Sequence, residues 1–140
     1  MTEPVRDTQA MISQMSPSLD GETYHFCTFA DPNEVRDLTA VALMSFHEDE
    51  GFTLILRDVD ARAHKCKTNH PMRKITLQVH SALDGVGLTA AVASELATHD
   101  IACNMVAAFH HDHVFVPVRD AQRALALLTA LPNKKATEGV

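Results

Sequence analysis

The sequence predicts an α+β fold assembled from small plaits of strands and helices. Residues 74–80 (KITLQVH) alternate apolar and polar side chains, which is the period of a half-buried strand. A turn containing two glycines follows and leads into an amphipathic helix pattern. Two strand patterns joined by a hairpin turn, and then a second helix, complete the stretch. Strand, glycine turn, helix, hairpin and helix is the order expected of a small ligand-binding α/β plait.

The apolar side chains of this second half fall on single faces of the predicted elements. In the strand, Ile75, Leu77 and Val79 share one face. The stripes of the two helices comprise Leu88, Ala91, Val92 and Leu96, then Ala121, Leu125, Leu128 and Leu131. We interpret these stripes as core packing. Pro132 is predicted to end the last helix, and the polar residues after it are predicted to fray.

The first half has a strand pattern at residues 22–29 (ETYHFCTF), followed by the most loop-like interior stretch, residues 30–39 (ADPNEVRDLT). A second break, Asn69-His70-Pro71, is where we divide the chain. The predicted domains are a degenerate N-terminal unit, a C-terminal unit and a flexible tail, at residues 1–70, 71–132 and 133–140.

A weak internal repetition supports two related units. Residues 46–49 (FHED) are echoed by residues 109–112 (FHHD), and after a one-residue slip an Arg-Asp pair recurs downstream of each. In both places a hairpin leads into a strand and then a helix, so Asp58 and Asp120 are predicted N-caps. The identities are few, and chance resemblance between two hairpins is the alternative. The matching order of elements favours duplication.

A plait of this kind normally closes with a fourth strand, yet the residues after Pro132 lack β-formers. Residues 22–29 are the best candidate to lie beside residues 74–80 and complete that sheet. A strand from another subunit is the alternative. In either case the second half is not expected to fold well by itself.

Composition excludes several classes of function. A net charge of −6 disfavours a nucleic-acid groove or an anionic membrane surface as partner. No run of about 18 apolar residues suggests a membrane span, and the polar N-terminus shows no secretory signal. Cys27, Cys66 and Cys103 are odd in number and form no CxxC pair. They are expected to stay reduced in a cytoplasm, two of them as small buried residues.

Most of the chain resembles a known family. The blocks that carry the resemblance are residues 15–29 (MSPSLDGETYHFCTF), 46–56 (FHEDEGFTLIL) and 75–117 (ITLQVHSALDGVGLTAAVASELATHDIACNMVAAFHHDHVFVP). They resemble the ACT domain, a small regulatory βαββαβ unit of amino-acid metabolism. More closely, the chain is similar to small, free-standing bacterial proteins with two ACT domains. This resemblance implies a ferredoxin-like fold, with two tandem ACT-like units packed as one body and the first unit degenerate.

The resemblance also implies a ligand site. In ACT regulators the effector lies at an interface between units, near the turn that joins the first strand to the first helix. The positions of this chain that correspond are Ser81, Leu83, Asp84, Gly85, Val86 and Gly87, facing Asn104, Met105 and Val106. In the first half, the loop at residues 30–39 stands where a first helix is expected, so a second equivalent site is not expected there.

The residue types of this turn independently favour a small anion. A helix N-terminus has unpaired amide protons and partial positive charge. Gly85 and Gly87 would let the backbone approach a ligand closely, and Asp84 could bind the ammonium group of a zwitterion. Capping of its own helix is the alternative for Asp84, and the two roles can coexist. The GVG sequence lacks the third glycine of a dinucleotide-binding turn, so nucleotide binding is not expected.

The histidines offer a competing hypothesis. His111 and His113 lie at one hairpin, and His80, at the end of the neighbouring strand, could approach them to hold a metal ion. Because side chains alternate along a hairpin, His110 and Asp112 would point away from that site, and a solvated turn is the alternative.

No nucleophile turn or other catalytic constellation is present in the sequence. We therefore expect a non-enzymatic, cytoplasmic regulator that binds an amino acid without a cofactor or metal, and that forms a homodimer. A structural interaction module with a vestigial pocket is the runner-up.

Overall fold

The computed structural model describes residues 7–79 and 87–138, with the backbone only for residues 134–138. Its helices are α1 (Thr8–Gln14), α2 (Pro32–Leu38), α3 (Asp58–Ala63), α4 (Leu88–Thr98) and α5 (Ala121–Glu138). Its strands are β1 (Ser16–Leu19), β2 (Tyr24–Phe29), β3 (Met44–Glu48), β4 (Gly51–Arg57), β5 (Met72–Gln78), β6 (Asn104–Ala107) and β7 (Asp112–Pro117). A 3-10 turn, Val118–Asp120, precedes α5.

The chain divides into two compact units. The central unit comprises residues 21–72, and the flanking unit comprises residues 1–20 together with residues 73–140. The sequence-based division at residue 70 placed the beginning of the chain with the first half. In the structure, residues 7–20 belong to the same unit as the second half.

The central unit is a small antiparallel plait. Its strands lie in the order β3-β4-β2, and Tyr24 at the start of β2 pairs with Met72. Helices α2 and α3 contact β2 and β4. Its core comprises Cys27, Phe29, Leu38, Leu54, Leu56 and Ala61. The order of strand, helix, hairpin and helix is the ferredoxin-like order that the sequence predicted.

Residues 30–39 are not a loop, contrary to the sequence-based prediction. They contain the seven-residue helix α2, with Asp31 as its N-cap and Pro32 in its first turn. The Asp31 carboxylate accepts a hydrogen bond from the Asn33 amide at 2.9 Å. An N-cap Asp followed by Pro is a helix-start signal, and burial of Leu38 anchors the other end. Because α2 has only seven residues, its helix signal is weak beside the loop-forming residues that surround it.

The flanking unit has the strand order β1-β5-β7-β6. Helices α1, α4 and α5 pack together beside it, and α5 contacts β1 and β7. Its core comprises Met11, Ile12, Met15, Ile75, Leu77, Val79, Leu88, Val92, Leu96, Ile101, Val114, Val116, Ala121, Ala124, Leu128 and Leu131. All the strand residues that we assigned to the core, and most of the helix-stripe residues, are in this cluster.

The fourth strand of the flanking unit is β1, so residues 22–29 do not complete this sheet, although β2 does pair with β5 at its first residue, Tyr24 opposite Met72. β1 pairs antiparallel with β5 from Ser16 opposite Gln78 to Leu19 opposite Ile75. Residues 24–29 instead form β2 of the central unit. The sequence SPSL has a weak strand signal, since serine and proline are poor β-formers, but proline is tolerated on a strand that has a partner on one side.

Helix α5 also differs from prediction, because it continues through Pro132 to Glu138. Proline lacks an amide proton and disturbs the preceding turn, which is why it was taken as the helix end. Here that preceding turn is held by burial of Leu128 and Leu131. The following residues include lysine and alanine, which are good helix formers.

The two units share their order of elements, but the sequence echo that suggested duplication is out of register. The third strands carry matching buried triplets at residues 54–56 and 114–116. Leu54 therefore corresponds to Val114, whereas the FHED and FHHD echo would align Leu54 with Pro117. Phe46 lies within β3, while Phe109 lies in the turn after β6. The similarity of the units rests on topology and not on that motif.

Candidate functional site

Of the predicted glycine turn, the structure describes Gly87, at the beginning of α4. Gly87 is the N-cap, with a left-handed φ of 110°, and its carbonyl accepts the first helical hydrogen bond from the Ala91 amide at 2.9 Å. Because glycine has no side chain, Gly87 itself cannot cap the amides of the first turn. Ser81, Leu83, Asp84, Gly85 and Val86, named from the sequence, lie outside the described residues.

The space over Gly87 is occupied by the protein itself. A Cβ atom placed on this residue would lie 2.8 Å from Cγ2 of Thr8, at the start of α1, and would overlap its hydroxyl. Glycine is therefore required here both by the backbone angle and by the close approach of another helix. Close approach of a ligand was the predicted reason for a glycine at this position, and the contact with Thr8 is a second physical reason.

The three residues predicted to face the turn lie on β6, where they alternate in direction. Met105 pairs with Val114 and packs against the core of the flanking unit. Asn104 is exposed, and Val106 is half-buried. Since side chains two apart share a face, Asn104 and Val106 lie on the face opposite Met105. Of the three, Asn104 is the polar group that a ligand could contact.

The histidine hairpin is organised differently from the metal hypothesis. His113 hydrogen-bonds through Nδ1 to the Thr76 hydroxyl at 2.9 Å, and Nδ1 of His111 is buried without a hydrogen-bond partner among the described residues. His80 lies outside those residues. Across residues 7–79 and 87–138, no three His, Cys, Asp or Glu side chains are close enough to share a metal ion.

Burial alters the protonation of this hairpin. It lowers the pKa of His113, and the positive charges of Lys74 and His111 lower it further. Burial also raises the pKa of Asp112, although the charge of His111 opposes that effect. His113 is therefore biased towards the neutral imidazole, which suits its hydrogen bond to Thr76.

The central unit contains a pair that the sequence did not indicate, between the buried His25 and the partly exposed Asp58. His25 is 2% exposed, and its Nε2 lies 2.6 Å from Oδ1 of Asp58. Arg62 donates to the same carboxylate at 3.0 Å. The hydrogen bond with His25 lowers the pKa of Asp58 most, and the hydrogen bond from Arg62 lowers it further. The sequence signal was weak, because a lone histidine on a strand is usually structural.

Of the two predicted N-caps, Asp58 is corrected by these contacts. Arg57 is the N-cap of α3, and Asp58 is its first helical residue. Asp120 lies in the 3-10 turn before α5, where its carboxylate accepts a hydrogen bond from Arg123 at 3.1 Å. Asp58 pairs with Arg62 across a helical turn, because it lies inside α3 and not one residue before it. That Asp120 caps α5 stays a prediction.

A second unforeseen feature is a cleft of about 440 Å³ in the central unit. It is lined by residues 26–28 of β2, Thr53 of β4 and residues 65–67 after α3. Cys27 and Cys66 both belong to this lining, and Cys66 packs against the core cluster that contains Cys27. The two cysteines are far apart in sequence, so no spacing motif could have indicated their contact.

Comparison with protein families identifies the architecture. One ACT-domain model matches residues 3–73, and another ACT-domain model matches residues 69–130. The chain belongs to the ACT domain family. The predicted family and the ferredoxin-like fold with two tandem ACT units are thus confirmed. ACT domains are typically regulatory modules that bind small molecules, and they are not catalytic.

Solved structures share this fold. The chain is similar to a Vibrio cholerae protein of unknown function, described as a possible transport protein, with 37% identity and a TM-score of 0.78. That match covers 89% of this chain and 94% of the other. An Agrobacterium tumefaciens protein matches with 18% identity and a TM-score of 0.63, over 84% of this chain and 89% of that one.

The regulatory subunit of aspartate kinase from Thermus flavus also shares the fold. Its identity is 11% and its TM-score is 0.55, over 81% of this chain and 94% of that subunit. A search among curated proteins gave no match. Over the described part of this ACT protein, none of the helices combines the length and the apolar character that crossing a bilayer requires.

Proposed function

We propose that this ACT protein is a non-enzymatic, cytoplasmic regulator that binds an amino acid where the glycine turn meets α4. The observation that carries the proposal is the start of α4, an eleven-residue helix whose N-cap is a glycine. The amides of its first turn can donate to a carboxylate, and the helix dipole favours negative charge at that end. Membership in a family of small-molecule-binding modules supports the same site.

The ligand groups can be assigned by charge. The α-carboxylate would accept hydrogen bonds from the first-turn amides of α4, and Asp84 would bind the α-ammonium group. Asn104, which is exposed on β6, would bind the remaining polar atoms of the ligand. A ligand bound at this position would touch β6, so its presence would affect the contacts that β6 makes.

We further propose that the protein is a homodimer. β6 stands at the end of the strand order, paired with β7 on one side. A strand at the edge of a sheet can pair with the same strand of a second copy, and this pairing would bring Asn104 of each copy to a shared interface. Ligand bound near Asn104 would then stabilise the dimer.

The test is a thermal-shift panel of the twenty common amino acids at millimolar concentration, followed by calorimetric titration of any that raises Tm. A ligand that binds only the folded state stabilises it by about 2.7 kcal/mol at a concentration of 100 times Kd. We expect one amino acid, or a few related ones, to raise Tm. Asp84→Asn and Asn104→Ala should each abolish the shift.

Asn69→Ala is the matched control, because Asn69 is an exposed asparagine in the central unit. This variant should respond to the ligand as the wild type does. Flat melting curves across the whole panel would overturn the proposal. A shift that survives both site substitutions would show that the ligand binds elsewhere.

One observation favours a second candidate, a structural interaction module with a vestigial pocket. The packing of Thr8 against Gly87 explains that glycine without a ligand. This candidate predicts flat curves in the panel together with a dimer that persists in sedimentation equilibrium, and a Val106→Lys variant on the exposed face of β6 that is monomeric.

A further inference from the structure

We propose that Cys27 and Cys66 form a reversible thiol–disulfide pair, oxidised by a small anionic disulfide that enters the cleft beside them. The site lies entirely within the central unit and is separate from the α4 turn in sequence and chemistry. Its existence therefore does not depend on the amino-acid site proposed above.

The cleft is large enough to admit a reagent. Its volume of about 440 Å³ falls within the range of roughly 300–1,000 Å³ that is usual for small-molecule sites. Both cysteines line it, and Cys66 packs against the core cluster that contains Cys27. A disulfide between them therefore requires a short approach of two neighbouring sulfur atoms and no rearrangement of distant segments.

The backbone holds the two thiols in place. Cys27 pairs with Leu54 inside the sheet, and its thiol donates to the His25 carbonyl at 3.7 Å. Cys66 follows a Schellman-type end of α3, in which its amide donates to the Ala61 carbonyl at 2.9 Å. Lys65 takes the left-handed position of that motif with φ 58°. Hydrogen bonds of the backbone thus fix the position of each cysteine in the cleft.

The two cysteines differ in accessibility, which assigns their order of reaction. Cys66 is half-buried between the exposed Lys65 and Lys67, whose ammonium groups attract an anionic reagent. Cys27 is 4% exposed. Burial, and to a lesser extent the interaction with the Cys66 thiol, raises the pKa of Cys27 to about 12. Cys66 is the attacking thiol, and Cys27 is the resolving thiol.

The reaction is a pair of thiol–disulfide exchanges. Cys66 loses its proton to solvent, and its sulfur attacks one sulfur of the reagent RSSR. A Cys66–SR bond forms, the reagent S–S bond breaks, and RS⁻ leaves and is protonated. Cys27 then loses its proton and attacks the Cys66 sulfur, which expels the second RS⁻. The two cysteines are oxidised by two electrons, and RSSR is reduced to two RSH.

The experiment treats the full-length reduced protein with oxidised glutathione near neutral pH and follows it by intact mass spectrometry without reductant. We expect the wild type to lose two hydrogen atoms in mass, to carry no lasting adduct, and to fall from three titratable thiols to one. Dithiothreitol should restore all three. Cys27→Ser should instead trap one glutathione on Cys66, because the resolving thiol is absent.

Two variants serve as controls. Cys66→Ser should leave Cys27 unmodified, since the accessible thiol is missing, and Cys103→Ser should behave as the wild type, since Cys103 lies in the flanking unit. Circular dichroism checks that each variant folds. If the buried hydroxyl of Cys27→Ser prevents folding, Cys27→Ala is used in its place. A lasting adduct on wild-type Cys66, a disulfide involving Cys103, or no reaction at Cys66 would each overturn the proposal.

Discussion

At the scale of single residues, the His25–Asp58 pair shows how a carboxylate on the surface of a helix can serve a buried group. Asp58 lies in the first turn of α3, and its amide also donates to the Thr23 carbonyl at 2.8 Å. The aspartate thus ties the beginning of α3 to the beginning of β2 through both its backbone and its side chain. His25 is almost fully buried, so loss of its partner would leave a polar ring without compensation.

This pair predicts a specific loss of stability in acid. Folding lowers the pKa of Asp58 below 3.8, so its ionised form stabilises the folded chain. That contribution is complete above pH 3.8 and is lost as the pH falls through the lower folded value. Asp58→Asn should therefore lower the urea midpoint at neutral pH, and the difference from wild type should shrink as the pH drops below 3.8.

Asp37→Asn is the control for this measurement. The Asp37 side chain is 70% exposed and lies 3.8 Å from Arg36, so its substitution should change the urea midpoint little at any pH. An Asp58→Asn variant as stable as wild type at neutral pH would contradict the stabilising role of the pair.

Gly87 yields a second prediction at this scale. Gly87→Ala should destabilise the protein by about 1–3 kcal/mol, because the new methyl group meets Thr8 and the backbone has a left-handed φ of 110°. Urea unfolding of Gly87→Ala, Thr8→Ala and the double variant forms a double-mutant cycle. The two changes should be less than additive, since Thr8→Ala removes part of the clash. Strict additivity would mean that the two residues are not in contact.

At the scale of elements, two helices end in the same motif. α3 ends with Lys65 in the left-handed region, and α4 ends with Asp100 in the same conformation. In each case the next residue donates its amide to the carbonyl five residues earlier: Cys66 to Ala61, and Ile101 to Leu96. Non-glycine residues in this conformation are strained, so both ends retain strain that glycine would relieve.

Lys65→Gly should therefore stabilise the protein by about 1 kcal/mol, as relief of backbone strain exceeds the added entropy of the unfolded chain. Lys65→Ala is the matched control, because it removes the same charge but keeps a Cβ atom in the left-handed conformation. Chemical denaturation of both variants measures the difference. Equal stability of the glycine and alanine variants would contradict a strained helix end.

Elements were predictable where their signals were local and strong. The alternation of Ile75 and Leu77 predicted β5, and the apolar stripes predicted α4 and α5. Weak signals failed: SPSL was not identified as a strand, and α2 was taken for a loop. Pro132 was taken as the end of α5, because the cost of a proline inside a helix is evident from sequence while the burial of Leu131 before it is not.

At the scale of the whole molecule, the chain leaves the flanking unit after residue 20 and re-enters it at residue 73. The central unit is in effect an insertion between β1 and β5. The second half of the sequence lacks its fourth strand because β1 had already provided it. Local propensity could reveal that a strand was missing, but it could not reveal which segment supplies it.

This topology predicts that the beginning of the chain stabilises the second half. Ile12→Ala should lower the free energy of unfolding by about 2–5 kcal/mol, because Ile12 is 2% exposed within the core that contains Ile75 and Leu128. Hydrogen exchange should accelerate in β5 and β7. Gln14→Ala, at an exposed position of the same helix, is the control. Unchanged exchange in β5 and β7 would contradict the packing of α1 in this unit.

The sequence by itself determined the class of elements and the ACT family, because periodicity and motif resemblance are properties of short stretches of chain. The tertiary structure alone decided that β1 completes the flanking sheet, that His25 meets Asp58, and that Cys27 meets Cys66. These contacts join residues far apart in sequence, so they depend on the path of the backbone and not on any local pattern.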